Sequence, residues 1–143
     1  MGVVLGIDFG KKRIGIAVTD PERRFTFGRD TLAADGKTDA VRVAAVARAE
    51  GATLIALGLP LNVDGSEGPM AALVRKFGAE LTAASGLPAA FVDERYTSIE
   101  ADEHLRERFP RDTRARRAMK DRAAAILILR TFLEHGPIRG SGA

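Results

Sequence analysis

Residues 3–19 read Val-Val-Leu-Gly-Ile-Asp-Phe-Gly-Lys-Lys-Arg-Ile-Gly-Ile-Ala-Val-Thr. Val3 to Ile7 is a nearly unbroken apolar run, the pattern of a strand buried on both faces. Ile14, Ile16 and Val18 then alternate with Gly15, Ala17 and Thr19. The short link between them predicts a hairpin, so the first two strands are antiparallel. Phe25 to Leu32 is a third strand candidate, with Phe25, Phe27 and Arg29 on one side.

Beyond this meander the pattern changes to helix and strand in alternation. Asp39 to Glu50 places Val43, Val46 and Ala47 at helical spacing, and Gly51 supplies a stop. Leu54 to Leu59 is a short buried strand. Met70, Leu73, Val74, Phe77 and Leu81 follow as an amphipathic helix. Ala89 to Val92 is the last strand. Thr97 and Glu100 match a capping box opening another helix. A final helix runs from about Arg116 to Glu134. The order predicts an α/β fold: a mixed five-stranded sheet, a three-strand meander then α/β crossovers, with helices on both faces. Residues 1–135 form one domain, and the Gly-rich residues 136–143 are expected to be a flexible tail.

The 143 residues include no cysteine and two histidines. Disulfides, zinc–thiolate sites and thiol chemistry are thereby excluded. No apolar stretch approaches the ~20 residues of a membrane-spanning helix. With no export signal at the N-terminus, a cytoplasmic protein is expected.

Three acids sit where the pattern calls for apolar groups. Asp8 ends the buried run Val3–Ile7, where a carboxylate is costly unless paired or metal-bound. A turn-capping Asp is its plainer reading. Asp121 shares a helix face with Ala125, Ile128 and Phe132, the face that packs on a sheet. An ion pair with Arg117 or Arg122 is the plainer reading there. Asp93-Glu94 follows the last strand, at the end where sites of α/β sheets converge. Adjacent residues of an extended segment point oppositely, so one of the two joins Asp8 and the other is available to Arg95. Three carboxylates without His or Cys form a hard oxygen donor set suited to Mg²⁺ or Mn²⁺.

The formal charge is +3. Residues 106–122 hold eight basic residues (Arg106, Arg108, Arg111, Arg114, Arg116, Arg117, Lys120 and Arg122) against three acids, a net +5 that leaves −2 for the rest. Positive charge packed beside Asp121 predicts a nucleic-acid backbone as substrate, as does Lys11-Lys12-Arg13. The candidate phosphate contacts are Lys12, Arg13, Arg95, Arg117, Lys120 and Arg122. The loop Pro60–Gly68 precedes a helix and lacks the P-loop pattern. Asn62, Asp64 and Ser66 line the approach, with a well-capped crossover turn as the alternative. Tyr96 is the one candidate for contact with a base or sugar.

Four ordered segments, Gly6–Gly10 with Arg13–Ala17, Gly58–Ser66, Asp93–Ser98 and Lys120–Leu129, resemble the YqgF/RuvX family over residues 1 to about 135. The resemblance implies a ribonuclease H-like fold and a metal-dependent nuclease in 5′ maturation of pre-16S rRNA. Its alternatives are a Holliday junction resolvase, or a non-catalytic RNA-binding assembly factor. Carried over by motif, the catalytic and metal-holding acids are Asp8, Glu94 and Asp121. Leu59-Pro60 offers no carboxylate, so a fourth ligand has to come from Asp64, Asp93 or water. A resolvase making two symmetric cuts needs two sites, hence a homodimer. Asp8-Phe9-Gly10 also resembles the first phosphate loop of actin-like ATPases, but one copy in 143 residues is too little for two domains closing on a nucleotide.

Overall fold

The computed structural model describes residues 1–95 and 113–138. Tyr96, the Thr97–Glu100 capping box with its helix, and Arg106, Arg108 and Arg111 lie outside the described residues. Strands β1 (Val3–Phe9), β2 (Arg13–Thr19) and β3 (Thr26–Ala33) form the expected meander. Helix α1 (Asp39–Glu50), strand β4 (Ala52–Leu59), helix α2 (Pro69–Ser85), strand β5 (Ala89–Asp93) and helix α3 (Thr113–His135) complete the described elements. The sheet order is β3-β2-β1-β4-β5. β1 pairs antiparallel with β2 and parallel with β4, and β5 joins β4 in parallel.

Each helix end has a local cause. Gly51 closes α1 at φ 70° and Gly86 closes α2 at φ 74°, left-handed conformations that a side chain disfavours. Pro69 opens α2, where its missing N–H costs nothing. Asp39 opens α1 and accepts the amides of Asp35 and Gly36 at 2.9 and 3.0 Å.

The sheet separates two apolar layers. Leu5, Ile7, Ile14, Ile16, Leu57 and Leu59 pack under α1 and α2, with Val43, Val74, Phe77 and Leu81. Phe9 stacks on Phe77 with ring centroids 4.4 Å apart. On the opposite face Val4, Ala17, Ala56 and Val92 pack under Ala125, Ile128 and Leu129 of α3.

Three expectations are corrected. β1 runs one residue past Asp8 to Phe9, so Asp8, expected at the strand's tip, still pairs within it opposite Gly15. β3 runs from Thr26 to Ala33 rather than from Phe25 to Leu32, and Phe25 and Phe27 are 63% and 45% exposed. The chain is still docked at Ile138, whose N–H donates to the Phe91 carbonyl at 2.7 Å, where a free tail was expected from residue 136.

The α3 face is built from small residues. A Cβ on Gly6 would fall 2.5 Å from Leu129 Cγ. One on Gly15 would strike the Asp121 carbonyl oxygen, and one on Gly28 would come within 3.3 Å of Arg122 Cβ. Backbone cannot yield as a flexible side chain can. Gly15→Ala is therefore expected to cost about 1–3 kcal/mol and lower Tm by roughly 5 °C or more. A thermal melt unchanged from wild type would contradict this packing.

Candidate active site

Strand alternation assigns the first acid to a face. Leu5 and Ile7 point to α1 and α2, and Val4 points to α3. Asp8 shares the parity of Val4 and so faces α3. Its carboxyl is pushed up to about 6, first by burial, then by the negative charge of Asp121; Lys120 opposes the shift.

Glu94 reaches the same region from β5. Its Oε2 lies 2.5 Å from where a Cβ on Gly58 would stand, beside Ile128 Cδ1 at the same distance. The missing side chain at Gly58 is thus the seat of the Glu94 carboxylate. Burial pushes Glu94 up to about 8, and the charges of Asp8 and Asp93 add to the rise.

Asp93 takes the opposite direction and pairs with Arg95. The Arg95 Nη2 lies 2.7 Å from Asp93 Oδ2, and its amide donates to Oδ1 at 3.0 Å. Burial works to raise Asp93, but the Arg95 hydrogen bonds outweigh it and hold the carboxyl below its ordinary value. The adjacent acids are divided as strand geometry requires, with Glu94 towards Asp8 and Asp93 towards Arg95.

Asp121 lies over Gly15, the register partner of Asp8. Its Oδ2 accepts from Arg13 Nε at 2.8 Å. The carboxylate is 14% exposed and the Arg13 side chain 43%. The partner is Arg13, across from the helix, rather than Arg117 or Arg122 of Asp121's own helix. Among the described residues no group of three or more His, Cys, Asp or Glu closes into a cluster that could hold a metal. The three acids therefore share one face without forming a closed three-acid cage, and Asp121 is engaged by Arg13.

All six candidate phosphate contacts lie among the described residues. Arg13, Arg95 and Arg122 are committed to carboxylates, Arg122 to Asp30 at 2.9 Å. Lys12, Arg117 and Lys120 are exposed, and Lys120 is close enough to Asp8 to influence its ionisation.

The loop after β4 is tied to itself. Asn62 Nδ2 donates to Ser66 Oγ at 2.9 Å, and the Ser66 hydroxyl donates to Asp64 Oδ1 at 2.6 Å. Ser66 holds Asp64 below its ordinary pKa. Asn62, Asp64 and Ser66 are thus brought together, in the manner of the capped-turn alternative. Arg95 Nη1 donates to the Val63 carbonyl at 3.2 Å, joining this loop to the end of β5.

The sequence reading missed Gly58 and Gly15 as seats for Glu94 and Asp121. Their signal was available, since both are glycines inside apolar strands, where a close approach is a standard reason for glycine.

A family model described as RuvX, Holliday junction resolvase, matches residues 2–135. The chain belongs to the RuvX family. A relative from Endomicrobium trichonymphae, named "Putative pre-16S rRNA nuclease", is 39% identical over 135 residues, covering 94% of this chain and 96% of its own. A relative of the same name from Anaeromyxobacter dehalogenans is 42% identical over 131 residues, covering 91% and 95%. Among solved structures, the fold is similar to Thermus thermophilus RuvC in complex with a Holliday junction substrate. The TM-score is 0.57 at 16% identity, with 96% of this chain and 100% of that chain covered. This RuvX-family chain is accordingly a nuclease with the ribonuclease H-like sheet expected from its sequence.

Asp8 and Glu94 have folded-state pKa values above those of an unfolded chain. Their favourable contribution is complete below about pH 4 and is lost as pH rises through about 6 and about 8. At pH 8 in chelator, Glu94→Gln is expected to melt about 5 °C above wild type, the gain shrinking towards pH 5. A variant melting at or below wild type at pH 8 would show that the carboxylate is not desolvated.

Proposed function

We propose that this protein is a divalent-metal-dependent nuclease that hydrolyses phosphodiester bonds of RNA in 5′ maturation of pre-16S rRNA. The observation that carries the reading is the pair of carboxylates Asp8 and Glu94 on the α3 face, each raised by burial and near enough for the charge of Asp8 to act on Glu94, with Asp121 over the next strand. Packing alone has no use for crowded negative charge in a desolvated seat.

The donor set is all oxygen, and the Gly58 cradle leaves room for the Glu94 carboxylate, so these residues fit a hard ion such as Mg²⁺ or Mn²⁺. Asp8 and Glu94 would hold it, with Asp121 as the third acid. When bound, the ion would lower the pKa of an attacking water and stabilise the leaving oxygen. The chain's own groups do the rest. Arg13 fixes the orientation of Asp121. Lys120, beside Asp8, offers positive charge to the scissile phosphate, and the exposed Lys12 and Arg117 extend it along the backbone. Arg95 braces the loop at Val63 while it holds Asp93 away from the Glu94 carboxylate. A ribosomal-RNA nuclease works where that RNA is transcribed, so the cytoplasm is its compartment; no helix among the described residues is long and apolar enough to cross a membrane.

The family description favours a second reading, a Holliday junction resolvase; two symmetric cuts would need two sites, hence a homodimer. A purely RNA-binding assembly factor is disfavoured, because carboxylates beside a phosphate weaken binding.

Matched substrates separate these readings: a pre-16S rRNA 5′ leader, single-stranded DNA and a four-way junction, each with Mn²⁺ or chelator. Cleavage of the RNA is expected, abolished by chelator and reduced at least 100-fold (about 2.7 kcal/mol) in Asp8→Asn. Paired symmetric cuts in the junction alone would favour the resolvase. Equal cleavage by wild type and Asp8→Asn would remove Asp8 from the mechanism.

A further inference from the structure

A cavity of about 480 Å³ lies on the sheet face opposite the acids, within the size range of ligand sites. Phe9, Phe77 and Leu73 are its apolar lining, and Lys11, Lys37 and Lys76 are its cations. Phe9 follows Asp8 directly in an extended strand, so the two side chains leave β1 on opposite faces. The cavity and the acid site are thus back to back at the same end of β1. Between them runs the β1–β2 turn, where Lys11 lines the cavity and Lys12 is exposed.

Several features of the cavity go beyond what the fold requires. Leu73 is 38% exposed although the helical pattern of α2 points it towards the core. At its floor the partly exposed Phe9 ring is held in place by its stack on the buried Phe77. All three lysines are exposed, and none makes an ion pair among the described residues. The acids on the lining do not cancel them. Asp39 is already committed to Arg42 at 2.6 Å and to two backbone amides, which leaves Glu80 as the one uncommitted carboxylate facing three ammonium groups.

We propose that this cavity is a nucleotide subsite that holds a single-stranded stretch of the nucleic-acid substrate beyond the point of cleavage. An aromatic and aliphatic floor accepts a base regardless of its identity, and ammonium groups around it take the flanking phosphates. The strand leaves the acid face, crosses the Lys11-Lys12 turn and enters the cavity behind the sheet. The chemistry requires an unpaired strand, because a duplex does not expose a base face to the floor. The inference rests on the nuclease reading above and adds to it a second contact on the other side of the sheet.

The test measures binding of single-stranded RNA oligonucleotides of 4 and 12 nucleotides by fluorescence anisotropy, as a function of salt, with the full chain in chelator. The variants are Lys37→Gln/Lys76→Gln and, as a charge control at the far end of α1, Arg48→Gln; cleavage of both RNAs with Mn²⁺ is measured in parallel. Lys37 and Lys76 are exposed, so the double variant is expected to melt with wild type. It should bind the 12-mer about tenfold more weakly with a log–log salt slope shallower by about 1.4, while the 4-mer is cleaved as before. Arg48→Gln should match wild type in every respect. A double variant within twofold of wild type on the 12-mer overturns the subsite, and parallel cleavage by wild type then leaves the nuclease reading standing. An equal loss in Arg48→Gln also overturns it, by showing diffuse charge rather than a site. Micromolar adenosine monophosphate binding that disappears in the double variant, with oligonucleotide binding unchanged, would assign the cavity to a free nucleotide and overturn the strand path. Wild type that neither binds nor cleaves either RNA overturns both readings.

Discussion

Helix α3 meets the sheet along a track of glycines set among small and branched apolar side chains. Gly6, Gly15, Gly28 and Gly58 come from four adjacent strands, and a Cβ at any of them would crowd α3 or the groups lying beside it. Close packing follows, with the Leu129 side chain over Gly6 and the Asp121 carbonyl over Gly15. The site is a consequence of that approach. Asp8 and Gly15 are register partners, so the glycine that admits α3 also sets Asp121 beside Asp8. Gly58 does the same for Glu94 from the other flank.

The same closeness sets the electrostatics. On an open surface neither Asp8 nor Glu94 would be desolvated. Under α3 they lose water and feel each other, and both Asp8 and Glu94 resist ionisation. Asp121 escapes isolation through Arg13. Asp93 escapes through Arg95. The arrangement leaves Asp8 and Glu94 at the centre, raised by burial and by neighbouring negative charge, with the ion-paired Asp121 and Asp93 at the edges. A cation held between the central pair, as proposed, would relieve the repulsion and so couple metal affinity to the packing of α3.

Much of this was legible in the sequence because it depends on periodicity. The meander, both crossover helices and α3 follow from spacings of apolar residues, and Asp8 and Asp121 were visible as charges on apolar faces. The division of Asp93 and Glu94 followed from the two-residue repeat of a strand. What stayed hidden depends on pairs distant in sequence. Arg13 and Asp121 are 108 residues apart, and no local rule selects Arg13 over Arg117 or Arg122. The glycine seats could be suspected from Gly58 and Gly15, but their occupants could not be named. Asn62, Asp64 and Ser66 were read as polar groups on offer, whereas a short loop lets such side chains satisfy each other first. Ile138 was assigned to a tail on composition, which carries no information about an edge strand in need of a partner.

The central claim is that Asp8 and Glu94 share one desolvated seat built to receive a divalent cation. Carboxyl-carbon NMR titration of the full chain, with and without Mg²⁺, reads this directly. Without metal, Glu94 should titrate near 8 and Asp8 near 6; with saturating Mg²⁺ both should fall below their ordinary values. Ordinary carboxylate pKa values in the metal-free protein, unmoved by Mg²⁺, would contradict the account.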